Sequence, residues 1–151
     1  MRSLQYISAA LLLLALTGIG HAADELKVVV LDSKTGHAMK GKLVCINVPP
    51  NPRDPVVERV RDCQRTDSGG IATFALSDPP PVTVDVTFGS DGLVPCYAPH
   101  NFAIADAMKT GTVARNTCGD ASTDTTETGE VVVFGHQKSL KEAANSVRNE
   151  W

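Results

Sequence analysis

Three histidines lie beyond the first 22 residues, His37, His100 and His136, and imidazole is the side chain best suited to move a proton or hold a metal near neutral pH. A hydrolase would need one of them beside a nucleophile and an orienting carboxylate. The chain contains no G-x-S-x-G elbow and no H-E-x-x-H pair, so neither a nucleophile turn nor a helical zinc pair is written into it. His37 follows the turn Asp32-Ser33-Lys34-Thr35-Gly36, where an exposed ring is the ordinary outcome. His136 sits beside a helix start, as a linker residue would.

His100 has more interesting company. It belongs to the segment Pro95-Cys96-Tyr97-Ala98-Pro99-His100-Asn101-Phe102, which sets aromatics and an imidazole next to a cysteine on a long connection. Loops held on a rigid scaffold are where binding residues concentrate. Tyr97, His100 and Phe102 are therefore the candidate binding residues of this loop, and Asp106 is the carboxylate that an acid–base role for His100 would require. The plainer alternative is a staple on a loop that lacks its own core, with His100 bonded to a backbone carbonyl.

Other chemistry finds less footing. A metal shared by His100 with Asp106 or Asp91 has no recognisable ligand spacing. Asp124 with Glu127 lacks the oxygen density and glycine placement of a calcium loop. Ser68-Gly69-Gly70 opens a strand rather than a helix, so it does not cradle phosphate. The residues name no catalytic group, no metal ligand set and no cofactor, and the expectation is a protein that is not an enzyme.

The four cysteines are Cys45, Cys63, Cys96 and Cys118. A zinc site of four thiolates would favour C-x-x-C spacing, which is absent, whereas an even count in an exported chain favours two disulfides. Three connectivities are open. Spacing favours Cys45–Cys63 and Cys96–Cys118, because each pair brackets one loop and positions 45 and 63 lie symmetrically about Arg53-Asp54, as facing residues of a hairpin would.

Export itself is read from the first 22 residues. Arg2 supplies a short basic start, Ala9 to Leu16 an apolar middle, and Gly18-Ile19-Gly20-His21-Ala22 the small residues a signal peptidase inspects. The apolar run is shorter than the roughly 20 residues a spanning helix needs. Residues 1–22 are expected to be a signal peptide cleaved after Ala22, with Ala23 the alternative, and the compartment to be periplasmic or secreted. The remainder suffices for one domain and not comfortably for two. Its charge is mildly acidic (the whole chain is formally −3) with no basic run, which is no footprint for nucleic acid, and no later stretch approaches membrane-spanning length.

Seven segments carry strand signals: 26–31, 42–48, about 56–64, 71–76, 82–88, about 111–116 and 130–134. The clearest is the fifth, where Val82, Val84, Val86 and Phe88 alternate with Thr83, Asp85 and Thr87, as a strand with one buried face requires. Residues 89–108 are broken by glycine and proline, and 119–129 is polar and threonine-rich, the composition of a mobile loop. At the end the period changes: Ser139 and Glu142 fit a capping box, and Leu140, Ala144, Val147 and Trp151 recur on one helical face. That stripe, with Trp151 as a candidate contact residue, serves either to pack on the domain's own sheet or to dock on a partner. Short strands with frequent turns predict an all-β, seven-stranded antiparallel sandwich over 23–137 with a short helix over 138–151.

The order of motifs Asp32-Ser33-Lys34-Thr35-Gly36, Gly41-Lys42-Leu43-Val44, Thr66-Asp67-Ser68-Gly69-Gly70, Ile71-Ala72-Thr73-Phe74-Ala75-Leu76 and Pro79-Pro80-Pro81-Val82-Thr83-Val84 resembles a carboxypeptidase regulatory-like domain, of the transthyretin-like (prealbumin-like) kind. Gly36 and Gly70 suit turns with positive φ. Pro81 departs from the pattern, standing where the family has a turn glycine. The resemblance implies a seven-stranded sandwich that works as an accessory, adhesion or surface binding module. The expected function is thus an exported, non-enzymatic binding or structural module whose partner is another envelope or extracellular protein. The alternative is a small exported enzyme or enzyme inhibitor using the 95–102 loop.

Overall fold

Leu26, Val28 and Val30 alternate with Lys27, Val29 and Leu31, and in the computed structural model, which describes residues 24–49, 60–139 and Glu142, the first three side chains are fully buried. They lie on β1 (Glu25–Asp32). Next come β2 (Leu43–Val48), β3 (Val60–Arg65), β4 (Ile71–Ala75) and β5 (Thr83–Phe88), each within or overlapping a segment that carries strand signals. Between β5 and the last strand, β11 (Glu130–Gln137), run β6 (Leu93–Pro95), β7 (Tyr97–Ala98), β8 (Asn101–Ala103), the helix α1 (Ile104–Thr110), β9 (Thr112–Val113) and β10 (Arg115–Asn116).

The strands form the expected β-sandwich. One sheet has the order β4-β1-β11-β6, with β9 also on β11; the other has the order β3-β2-β5-β8; β7 and β10 make a small separate ribbon. Leu26, Val28, Val30, Val131 and Val133 from the first sheet join Val44, Ile46, Val84 and Val86 from the second in one continuous core, filled by Phe74 and Phe102. Val82, placed on the inner face by its spacing, instead precedes β5 and is 84% exposed.

Two ladders depart from antiparallel pairing. β1 and β11 run parallel, with Val28 beside Val131 and Val30 beside Val133, and β9 also pairs parallel with β11. The chain makes a long excursion over residues 89–129 and returns to lay its last strand along its first, so the first sheet is mixed. Phe134 and Val132 on the other face of β11 are buried as well, and Phe134 borders a hollow formed with Ala114, Asn116 and Ala121.

The turns carry out the roles their residues suggest. Asp32 Oδ1 accepts from the N–H groups of Lys34 and Thr35 and from the Thr35 hydroxyl, and Gly36 closes the turn at φ +71°. Gly70, at φ +77°, passes its carbonyl to the Val30 N–H. β11 extends three residues past its predicted end, so His136 is a strand residue paired with Val94 rather than a linker.

After β11 the capping box forms. The Ser139 N–H donates to Glu142 Oε2 at 2.7 Å, and the Glu142 N–H donates to Ser139 Oγ at 3.2 Å. These bonds, with His136 nearby, hold the exposed Glu142 carboxyl down at about 2. The rest of the expected C-terminal helix, the expected signal segment and the chain between β2 and β3 lie outside the described residues.

Candidate functional site

The Cys96–Cys118 bridge closes the segment that the sequence singles out, with Cα atoms 5.2 Å apart, and Cys45–Cys63 closes the β2–β3 hairpin. Sequence periodicity leaves 89–108 without elements because strands of two or three residues hold too few alternations to show a period. Helix α1 is equally hard to read. Its N-terminal flank, Ala103, has no side chain to cap it, and Ile104 and Ala107 alone supply the buried face.

Within this segment the side chains divide sharply. Tyr97 is 2% exposed, and its hydroxyl donates to the Val86 carbonyl at 2.7 Å. Burial pushes its phenol well above the usual tyrosine range, so it remains a neutral donor. Phe102 is also 2% exposed, in the core against β5. Both aromatics therefore face inward, and their surfaces are spent on packing.

His100 alone of the three shows its side chain to solvent. Its carbonyl accepts from the Val86 N–H at 2.9 Å, and its ring stands edge-on to Tyr97 with centroids 4.9 Å apart. Beside it opens a shallow cleft of about 310 Å³ whose walls include Phe88, Leu93 and Pro95. Trp151 lies outside the described residues.

Asp106 sits in the first turn of α1, exposed, and among the described residues no hydrogen bond or ion pair joins it to His100. Asp91 is engaged elsewhere: its Oδ2 accepts from the Leu43 N–H at 2.9 Å and lies 3.4 Å from Arg65 Nη1. Among the described residues no three His, Cys, Asp or Glu side chains gather as metal ligands would, and no helix is long and apolar enough to cross a membrane.

The residue that sequence reasoning overlooks is Asn116. Its Nδ2 donates to the carbonyls of Ser33 and Ala121, at 2.7 and 2.9 Å, while its Oδ1 accepts from the N–H groups of Cys118 and Gly119. One side chain thus ties the disulfide loop to the Asp32 turn. Ala121 adds its own N–H to Ser33, and Gly129 donates to Ala107 on α1. The threonine-rich stretch 119–129, expected to move freely, is fastened at both ends. Apart from Ala121 it has no apolar side chain, and it is held mainly through its backbone, which composition does not register. The one sequence signal for Asn116 is its place before a Thr-Cys-Gly turn, where an Asx side chain often bonds backbone.

No protein-family model matches the chain, and no curated protein does. Among solved structures, the chain is similar to the full-length major pilin SpaD from Corynebacterium diphtheriae, at 14% identity and a TM-score of 0.43 over 76% of this chain. It spans about a third of that pilin's length, 32%.

Proposed function

We propose that the protein is an exported binding module of the carboxypeptidase regulatory-like kind, acting in the periplasm or outside the cell, with the 93–103 segment as a contact surface. The observation that carries this reading is the division of that segment into a locked inner side and an open outer side. Tyr97, Phe102 and the Cys96–Cys118 bridge fix the backbone, and the cleft beside His100 presents mainly apolar walls with the polar side chains of Thr87 and His100 among them. Preorganised loops of this sort bind without a large ordering cost. Two disulfides in so small a sandwich support an oxidising compartment.

The test uses the full chain expressed in a host with a cell envelope. Mass measurement of the mature protein is expected to show loss of residues 1–22 and no free thiol. Crosslinking in envelope extract, with wild type beside His100→Ala and Trp151→Ala, is expected to give partners whose crosslinks map to residues 93–103 and disappear with His100→Ala. Identical partner profiles from all three proteins would remove the loop from this role. Tyr97→Ala is unsuitable here because that side chain is part of the core.

A further inference from the structure

A second surface lies on the far edge of the other sheet. Antiparallel pairs alternate between those that exchange backbone hydrogen bonds and those that do not, the latter about 4.5 Å apart at Cα. Cys45 and Cys63 face each other at 4.0 Å, so they belong to the second kind. The Thr66 N–H donates to the Lys42 carbonyl at 2.9 Å, which puts positions 60, 62, 64 and 66 in the set that bonds to β2. The N–H and C=O groups of Arg61, Cys63 and Arg65 therefore point away from the sheet. β3 ends its sheet, and among the described residues none of these groups has a backbone partner.

The other edges are shorter, and that of β4 (five residues) is closed at its start. On β4 the Ile71 N–H donates to Asp67 Oδ1, and its carbonyl accepts from the Asp67 N–H. β6 and β8 are three residues each. β3 offers six residues without proline or glycine, five of them exposed.

The geometry points to β3 as a strand-addition site for an extended segment of a partner protein that carries acidic side chains two residues to either side of a small one. Main-chain bonds to Arg61, Cys63 and Arg65 would supply the affinity, and the side chains beside them the selection. Arg61 and Arg65 flank Cys63 on one face of the strand. Arg61 leans over the disulfide, its Nη2 3.5 Å from Cys45 Sγ, and Arg65 keeps 62% of its side chain exposed while sharing Asp91. Cys63 stands between them, exposed and tied to Cys45, and a small residue opposite it lets the two flanking carboxylates reach the arginines. A second copy of this chain is the wrong occupant. Antiparallel self-pairing centred on Cys63 sets Arg61 against the copy's Arg65 twice, and moving the centre to Asp62 sets that residue against itself, both unfavourable.

The probe is a short acetylated and amidated peptide with a central alanine, glutamate two residues to either side of it, and valine or threonine elsewhere. In a titration followed by amide NMR of the full oxidised chain, shifts are expected at Arg61, Cys63 and Arg65, with slowed hydrogen exchange there and binding that weakens with salt. Arg61→Glu combined with Arg65→Glu is expected to weaken binding roughly tenfold, while lysine at both positions retains most of it. Both side chains are exposed, so the amide spectrum itself reports that each variant is folded. His100→Ala is expected to leave the titration unchanged, which separates this surface from the 93–103 loop. Equal binding of a peptide with lysine in place of glutamate, shifts confined to other strands, or no binding at millimolar peptide would each overturn the proposal.

Discussion

The Tyr97 hydroxyl lies 2.7 Å from the Val86 carbonyl, so this aromatic, which bridges the disulfide loop and β5, is held by a buried hydrogen bond as well as by packing. Its ring also stands edge-on to Phe88, with centroids 5.5 Å apart. Tyr97→Phe keeps the packing and deletes the bond, and is expected to lower stability by about 1–2 kcal/mol in urea unfolding. Tyr97→Ala adds a cavity and is expected to cost about 3–5 kcal/mol. Equal losses for the two variants would show that the hydroxyl contributes what the whole ring does, against the geometry.

The four hydrogen bonds of the Asn116 side chain set up a sharper comparison. Asn116→Ala removes them all and is expected to cost about 2–3 kcal/mol. Asn116→Asp is expected to be at least as damaging although it is nearly isosteric. A carboxylate would still accept from Cys118 and Gly119, but its second oxygen would confront the carbonyls of Ser33 and Ala121. Hydrogen exchange of residues 117–121 should accelerate in both variants. A neutral Asn116→Asp would mean that the Nδ2 bonds hold nothing in place.

Acid should act on the Asp32 turn. The Thr35 N–H, with the Lys34 N–H and the Thr35 hydroxyl, lowers the Asp32 carboxyl below its ordinary range against a smaller opposing effect of burial. A carboxyl lowered on folding contributes stability that is present above its unfolded value, near 3.9, and is lost as pH falls through the folded value. Stability measured by urea at a series of pH values should therefore drop below about pH 4, and Asp32→Ala should flatten part of that drop. The group is largely exposed, so the effect is a modest slope. An unchanged profile in Asp32→Ala would count against the turn as its source.

The two disulfides should differ in what their loss loosens. They close separations of 18 and 22 residues, so loop closure assigns each about 3 kcal/mol. Replacing Cys96 and Cys118 by alanine should raise exchange across residues 93–121, where no continuous ladder substitutes for the bridge. Replacing Cys45 and Cys63 should leave β2 protected through its ladder with β5. Exchange measured by mass spectrometry distinguishes the two patterns, and loosening of β2 in the first variant would reverse the assignment.

What could be read beforehand follows from how each part is held. β1, β2, β4, β5 and β11 run for five or more residues rich in β-branched or aromatic side chains, so residue type and spacing report them directly, as does the symmetry that pairs Cys45 with Cys63. The 93–118 segment is organised by single side chains reaching across the chain. Asn116 finds Ser33 from 83 residues away, and no local spacing records such a contact. Tyr97 shows the same limit from the other side. Its type and position mark it as special, yet an aromatic beside a cysteine looks alike whether its ring turns toward solvent or toward Val86. Parallel pairing of β1 with β11 is a property of the return path, which strand patterns do not encode.

That parallel ladder governs how the domain would carry tension. Asp24, just ahead of β1, and Gln137, at the close of β11, sit at opposite ends of the two-strand ribbon, about 33 Å apart along it. Tugging those two points apart slides the strands lengthwise, so the bonds from Lys27 to Asp32 are strained together instead of parting one by one like a zipper. A module strung between two anchors by these strands would resist stretching until the whole ladder gives way at once.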